Sequence, residues 1–332
     1  GVTIRPELGQ GYLEIDMMSL RQGYIGFEAM PLLVTEREAG VFPKVALESL
    51  LTKVSLDKLR RGPDGSYPRS TWTYGSDNFT TEEYGLEEPV DDRQARILGN
   101  HGLMAEQIAA DRSTSALLRA IEIAVEAIVY DATTYAAQKT DVTNEWDDKT
   151  NATPIDDVKG AIERFEDRNG GVKPNLMVMN LKQARNILLT DQVRTILGYR
   201  PTEGLAQEQL QGNARNVRLL ASILEQVLGV ERIAIGDGFE NSKLTGVAGS
   251  YTRIWSNEYV SLLRVAAGQD LKQPSFGRIM AWTGDGGGTG QSLSIEEYYE
   301  NRIRSRVIRS RVDIELKVIH SELLEILGNI TT

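Results

Sequence analysis

The stretch Leu51-Thr52-Lys53-Val54-Ser55-Leu56-Asp57, followed by Gly62-Pro63-Asp64-Gly65 and then by Tyr67-Pro68-Arg69-Ser70-Thr71-Trp72-Thr73-Tyr74, decides how the rest of the chain is read. Pro63 presets φ and Gly65 permits an unusual one, so the centre of the stretch is a turn. Trp72 and Tyr74 alternate onto one face, and residues 50–90 read as a long two-stranded hairpin. Two strands cannot bury both of their faces and are marginal alone in water, so this projection needs another surface to rest on.

Charge in the same region is sorted. Lys53, Lys58, Arg60, Arg61 and Arg69 face only Asp57 and Asp64, whereas Asp77, Glu82, Glu83, Glu87, Glu88, Asp91 and Asp92 follow without a base. Far downstream, Arg302, Arg304, Arg306, Arg309 and Arg311 lie in a run with no acid. In an extended strand Arg302, Arg304 and Arg306 share one face, with Arg309 and Arg311 on the other. The bland reading of such blocks is a solvated face. The arginine run could touch a nucleic-acid backbone without sequence preference. We favour the acidic segment of a neighbouring copy as its partner, because the two blocks are opposite in sign and similar in size. The inter-subunit contact candidates are therefore Lys53, Lys58, Arg60, Arg61, Arg69, Glu82, Glu83, Glu87, Glu88, Asp91, Asp92 and the five arginines of 302–311.

Outward from the hairpin the chain changes character. Residues 1–45 are punctuated by Gly9, Gly11, Gly23, Gly26, Pro31, Gly40 and Pro43 and read as an extended arm, anchored by Gly40–Val45. Downstream, Leu117, Ile121, Val125, Ile128, Ala132 and Tyr135 recur at helical spacing, with Arg119, Glu122, Glu126 and Asp131 largely off the stripe and Ser113 or Thr114 as possible caps. A helix over 103–138 would span about 54 Å, the length of a structural spine. After a polar break at 141–153, Thr153-Pro154 starts a helix with the stripe Ile155, Val158, Ile162 and Phe165. Strands at 176–180, 232–235, 251–255 and 259–265, with helices at 181–189 and 217–228, make an α/β unit. Val312, Ile314, Leu316 and Val318 then alternate with Asp313, Glu315 and Lys317 as a half-buried strand.

Composition removes most chemistry. The 332-residue, 36.8 kDa chain has no Cys and two His, which excludes thiolate nucleophiles, cysteine zinc sites and iron–sulfur clusters. Its 37 Lys and Arg against 47 Asp and Glu give a net charge of −10, unsuited to wrapping nucleic acid over the whole surface. His101 and His320 cannot make a two-histidine metal motif, and His320 reads as partly exposed at a strand end. Gly284–Gly290 lacks the Lys-Ser/Thr pair of a phosphate loop and reads as a flexible turn. No nucleophile elbow, basic–apolar leader or run of ~20 apolar residues occurs. No catalytic, cofactor or metal residue is assigned.

The order arm, hairpin, long helix, α/β insert and returning β segment resembles the major capsid proteins of tailed double-stranded DNA bacteriophages, the Hong Kong 97-type α+β fold. The resemblance runs through Phe27 to Val45, Tyr84-Gly85-Leu86-Glu87-Glu88-Pro89-Val90-Asp91-Asp92, Pro174-Asn175-Leu176-Met177-Val178-Met179 and Ser275-Phe276-Gly277 to Trp282. It implies an N-terminal arm and anchor at 1–47, an extended loop at 48–92 lying over an adjacent subunit, and a peripheral domain at 93–147 and 275–332. The α/β unit at 148–274 corresponds to the axial domain. It further implies pentamers and hexamers of an icosahedral shell enclosing DNA without sequence-specific contacts, in a virion assembled in the bacterial host cytoplasm. Scaffolding and portal partners are implied as well, with decoration proteins left open and no membrane. With about 40 residues ahead of the body, scaffolding is expected from a separate chain, or Gly1 is a processed end. Some relatives cross-link a loop lysine to a neighbour's asparagine; Lys53 and Lys58 lie in the right segment, but no partner residues match. Two other classes stay open: an encapsulin-type shell around a cargo enzyme, and an α/β hydrolase using Asp237 and Glu240.

Overall fold

The computed structural model describes residues 3–4, 23–45, 55–61, 65, 67, 74–100, 105–198, 217–241, 249–266, 268, 273–284 and 293–331. The first part of the chain gives β1 (Thr3–Ile4), α1 (Gly26–Ala29), β2 (Leu32–Thr35), β3 (Ala39–Val45), α2 (Leu56–Leu59), β4 (Tyr74–Thr80) and β5 (Glu82–Asp91). Then come α3 (Asp92–Asn100), α4 (Ala105–Val129), β6 (Lys139–Asp141), α5 (Pro154–Arg168), β7 (Leu176–Asn180), α6 (Leu181–Leu189), α7 (Asp191–Ile196) and α8 (Val217–Leu228). The remainder is β-rich: β8 (Arg232–Gly236), β9 (Phe239–Asn241), β10 (Tyr251–Arg253), β11 (Val260–Leu263), β12 (Gly277–Trp282), β13 (Leu293–Glu300), β14 (Ser305–Val318) and β15 (Leu324–Gly328).

Two sheets share the work of burial. One is six-stranded, β1-β13-β14-β12-β2, with β5 also paired to β14; the other is five-stranded, β6-β15-β11-β7-β8. The expected unit 275–332 therefore divides, because β15 leaves the first sheet to pair with β11 and β6 in the second. Likewise β2, from the expected arm, pairs in parallel with β12.

Helix α4 ties the sheets together. Leu117, Leu118 and Ile121 are buried with Ile279, Ala281, Val312 and Ile314 of the first sheet, while Val125 and Val129 share the same core with Val178, Leu263 and Ile326 of the second. The helix ends at Val129 instead of reaching 138. Asp131 terminates it by accepting the N–H groups of Thr133 and Thr134, a local turn that competes with further helix. Ser113 and Thr114, read as caps, are buried mid-helix and bond Ser310 of β14 at 2.7 and 3.0 Å. Thr153 makes no side-chain cap either, although α5 starts at Pro154 as its spacing predicts.

Glu122, expected off the stripe, is buried on α4. Its carboxylate accepts Ile25 N–H at 2.7 Å, Gly26 N–H at 2.6 Å and Trp255 Nε1–H at 2.6 Å. Burial raises its pKa, and these three donors oppose the rise. Gly26 is required by the close approach, since a Cβ there would sit 2.6 Å from Glu122 Oε2. One side chain thus pins the segment before β2 and the loop before β11 to α4.

The second sheet carries α5, α6 and α8 on a separate core that includes Val158, Phe165's neighbour Ala161, Ile187, Leu188, Leu220 and Leu224. At the start of α6, Asn180 and Gln183 form a capping box, and their amides continue to Trp255 O, Asn257 O and Tyr259 O. His320 is buried, not partly exposed, with Nδ1 3.0 Å from Glu322 Oε1. That hydrogen bond holds the Glu322 carboxyl down from its ordinary 4.5 to about 2, against the opposing effect of burial.

Two outcomes follow from these groups. Glu122→Gln must present an NH₂ to one of three converging N–H donors, so the subunit should lose about 1–3 kcal/mol in chemical denaturation; an unchanged midpoint would contradict the pin. A carboxylate with a depressed folded pKa stabilises the fold above its unfolded value and loses that contribution as pH falls through the folded one. Acid unfolding should therefore steepen between pH 4.5 and about 2, and Glu322→Gln should flatten that slope in subunit melting curves.

Candidate assembly surfaces

The acidic and basic blocks do meet, but inside one chain. β5 and β14 pair antiparallel with Glu87 opposite Arg309 and Glu83 opposite Asp313. Period-two geometry then puts Arg309, Arg311, Glu83, Glu87 and Glu296 on one face of the sheet. Arg309 contacts Glu87 at 2.6 Å and Glu296 at 3.3 Å, and stacks over the Tyr298 ring, whose hydroxyl donates to Glu87. Arg311 donates to Glu296 at 2.8 Å in a buried pair, with Glu83 at 3.7 Å. On the opposite face Arg306 bonds Glu106 of α4 at 2.7 Å, and Glu88 pairs with Arg112 at 2.9 Å. Where the sequence suggested the acids of a neighbouring copy, Arg306, Arg309 and Arg311 of β14 find acidic partners on β5, β13 and α4 of their own chain.

The other candidates divide by role. Asp91 accepts the Arg93 and Gln94 N–H groups at the start of α3, and Asp92 accepts the Tyr299 hydroxyl at 2.8 Å. Arg302 and Arg304 sit exposed in the turn before β14, outside the strand, with Arg304 at φ 50° and Arg302 only 3.8 Å from Glu300. Arg60 is exposed; Arg61 donates to Gly65 O at 2.7 Å and lies over the Tyr67 ring. Lys53, Arg69 and the Lys58 side chain lie outside the described residues, as do His101 and residues 285–290 of the glycine run.

The hairpin itself is shifted. Its paired strands are β3 and β4, running from Ala39 opposite Thr80 to Val45 opposite Tyr74, so the ladder begins ahead of the expected strands. Where the sequence suggested an extended strand, Leu56–Leu59 forms the single helical turn α2, consistent with leucines three apart on one side. The base of the hairpin is fixed to the first sheet. Thr80 N–H donates to Glu315 at 2.6 Å, Lys317 pairs with Asp77 at 2.9 Å, and Phe42 packs with Leu33, Met280 and Ile319. In the connection between β3 and β4, Leu56 and Leu59 are 83% and 54% exposed.

Between α4 and the outer edge of β5 lies a groove of about 720 Å³. Ala116, Ala120 and Ala124, four apart on α4, leave the space; Tyr84 and Leu86 form the opposite wall. Glu82 and Glu315 stand at its end, and Glu82 accepts the Tyr84 hydroxyl. Among the described residues neither carboxylate has a basic partner, no group of three His, Cys, Asp or Glu could hold a metal ion, and no helix is long and apolar enough to cross a membrane. Asp237 and Glu240 do not converge as an acid–base pair: the first meets Arg253 at 3.0 Å and the second accepts the Thr252 hydroxyl.

The ladder yields a direct test. Arg309→Glu should lower the thermal stability of the isolated subunit, and adding Glu87→Arg in the same chain should recover most of the loss. Recovery only when the second substitution is placed in a different copy would restore the inter-subunit register.

No family model matches the chain. Over 269 residues it is 22% identical to the major capsid protein of Burkholderia phage BcepMu, covering 79% of this chain and 79% of that one. A phage-related protein from Bordetella bronchiseptica RB50 superposes with a TM-score of 0.65 at 18% identity, covering 99% and 98% of the two chains. The capsid of cyanophage P-SCSP1u does so with 0.53 at 10% identity over 91% and 87%. The chain therefore has the α+β fold of phage capsid proteins, the Hong Kong 97-type fold that its element order resembles.

Proposed function

We propose that this chain is a phage major capsid protein, a structural subunit that assembles with copies of itself into the shell of a virion. The observation that carries the reading is the hairpin: its base is bonded into the first sheet, while Leu56 and Leu59, in the connection between its two strands, stay exposed. Exposed apolar side chains on a projecting arm gain free energy only when another molecule removes them from water. The fold shared along nearly the whole chain with the Bordetella protein supports the same conclusion.

On this reading copies gather as pentamers and hexamers around double-stranded DNA, which they enclose without reading its sequence. The six-stranded sheet with α4 forms the peripheral part and the five-stranded sheet the axial part near the symmetry axes. Much of the arginine run is neutralised by Glu87, Glu106 and Glu296, which leaves few cations for tight DNA contact. Scaffolding and portal proteins are the expected partners, and no chemical step is assigned to the subunit.

Electron microscopy of the purified protein tests this. The intact chain should form closed shells, whereas deletion of residues 62–69 should leave soluble subunits with an unchanged melting point and no stable particles. Normal shells from the shortened chain would contradict the role given to the hairpin, and nucleic acid or a protein cargo inside native particles distinguishes a virion from a cargo shell.

A further inference from the structure

The arginines that the β5–β14 ladder does not neutralise gather at one end of the first sheet. Arg302 and Arg304 lie in the turn from β13 to β14, where residues 301–304 are all exposed, and the Arg302 side chain is 89% exposed. Arg93 and Arg96 stand three apart on α3 and are exposed as well. The turn and the helix are bonded together: Asp92 N–H donates to Arg304 O at 3.3 Å, and the Tyr299 hydroxyl donates to Asp92 at 2.8 Å. Neighbouring acids are already engaged. Asp91 accepts the first N–H groups of α3, and Glu106 and Glu297 hold Arg306. Among the described residues Arg93, Arg96 and Arg304 make no ion pair, and Arg302 has Glu300 at 3.8 Å. Arg304 also sits at φ 50°, a left-handed conformation that glycine adopts without strain and arginine does not. A side chain retained at a strained position points to a use for that side chain.

We propose that this tip, formed by Arg93, Arg96, Arg302 and Arg304, is a contact site for the phosphodiester backbone of a nucleic-acid duplex. The planar fork of arginine matches phosphate oxygens, and contacts of this kind carry no sequence preference. The chain as a whole repels a polyanion, since its net charge is −10, so an approaching duplex is steered to the place where cations are uncompensated. Shape agrees with charge. An exposed turn beside a helix can reach a rod of evenly spaced charge without having to enclose it. A second copy offering the same tip is a poorer occupant, because arginines would then face arginines. Such contacts are weak for one copy and add up when many copies line one cavity. The inference rests on the shell-subunit reading and adds to it the surface that meets the enclosed polyanion.

The purified chain, kept unassembled by dilution, is titrated into a labelled random-sequence DNA duplex of about 20 base pairs, and fluorescence anisotropy is followed across about 50–200 mM salt. Each phosphate engaged adds about −0.9 to the slope of log affinity against log salt, so the intact chain should show about −3 to −4. Arg302→Ala with Arg304→Ala should bring that slope about 2 closer to zero, as should Arg93→Ala with Arg96→Ala. Arg218→Ala, exposed on α8, should leave it unchanged. Arg304→Gly separates a ligand contact from a structural role: it relieves the backbone, so the subunit should melt no lower while affinity falls severalfold at low salt. No binding by the intact chain, or a slope that neither double variant changes, would overturn the site. Closed shells from the same preparation would then leave the shell reading intact. Variants that bind the duplex normally but no longer form shells would overturn it too, assigning the tip to carboxylates of a second copy. Variants that lose the duplex and still close into shells would support it.

Discussion

Strand β14 is the constraint on which the rest of the first sheet depends. It pairs with β13 along Ser305–Val312, with β5 along Ser305–Ile314 and with β12 along Ile314–Val318. Through Glu315 and Lys317 it also holds the base of the β3–β4 hairpin. These partners are distant in sequence: Arg309 and Glu87 are 222 residues apart. Loop closure over such separations is unfavourable before the contacts form, so the sheet is expected to complete late, once β14 is in place. Until then the hairpin has no fixed base from which to project.

A second constraint couples the two sheets. Helix α4 lays one end of its apolar stripe on each of them, but apolar contact is non-directional and leaves rotation about the helix axis weakly specified. Glu122 removes that freedom by gathering three N–H donors from two distant segments. Burial carries a desolvation cost that raises the pKa of the carboxyl, and the three donors oppose it. Asn180 and Gln183 do comparable work on the neighbouring loop, fixing residues 255–259 through their amides. Buried polar groups that are fully bonded specify geometry more sharply than apolar packing of equal area.

How much of this was legible follows from the range of the forces involved. Periodicity is local, so α5, α6, α8, β7 and the alternating part of β14 can be read from it, as can the capsid-type order of elements. The end of α4 is not legible because the competing interaction, an Asp131 side chain bonding its own following backbone, looks like ordinary helical composition. The burial of Glu122 is hidden too, because polarity alone cannot reveal donors waiting at positions 25, 26 and 255. The complementarity of the charge blocks is legible, but spacing in a sequence carries no information about which copy supplies the partner, and here Arg309 and Arg311 find acids of their own chain. The groove left no signal beyond three alanines at a spacing of four.

The division between the two kinds of contact has a physical logic. Ion pairs such as Arg311–Glu296, buried and flanked by further acids, are costly to separate once formed and suit a connection made once, during folding. A joint between copies must form and reverse until a ring closes, which favours small apolar surfaces with a few exposed charges, each weak alone. Closure then supplies the stability, because breaking out of a ring requires the loss of two contacts at once. On the proposed shell function, a chain that uses its arginines in an internal ladder and leaves Leu56 and Leu59 exposed is arranged in that way.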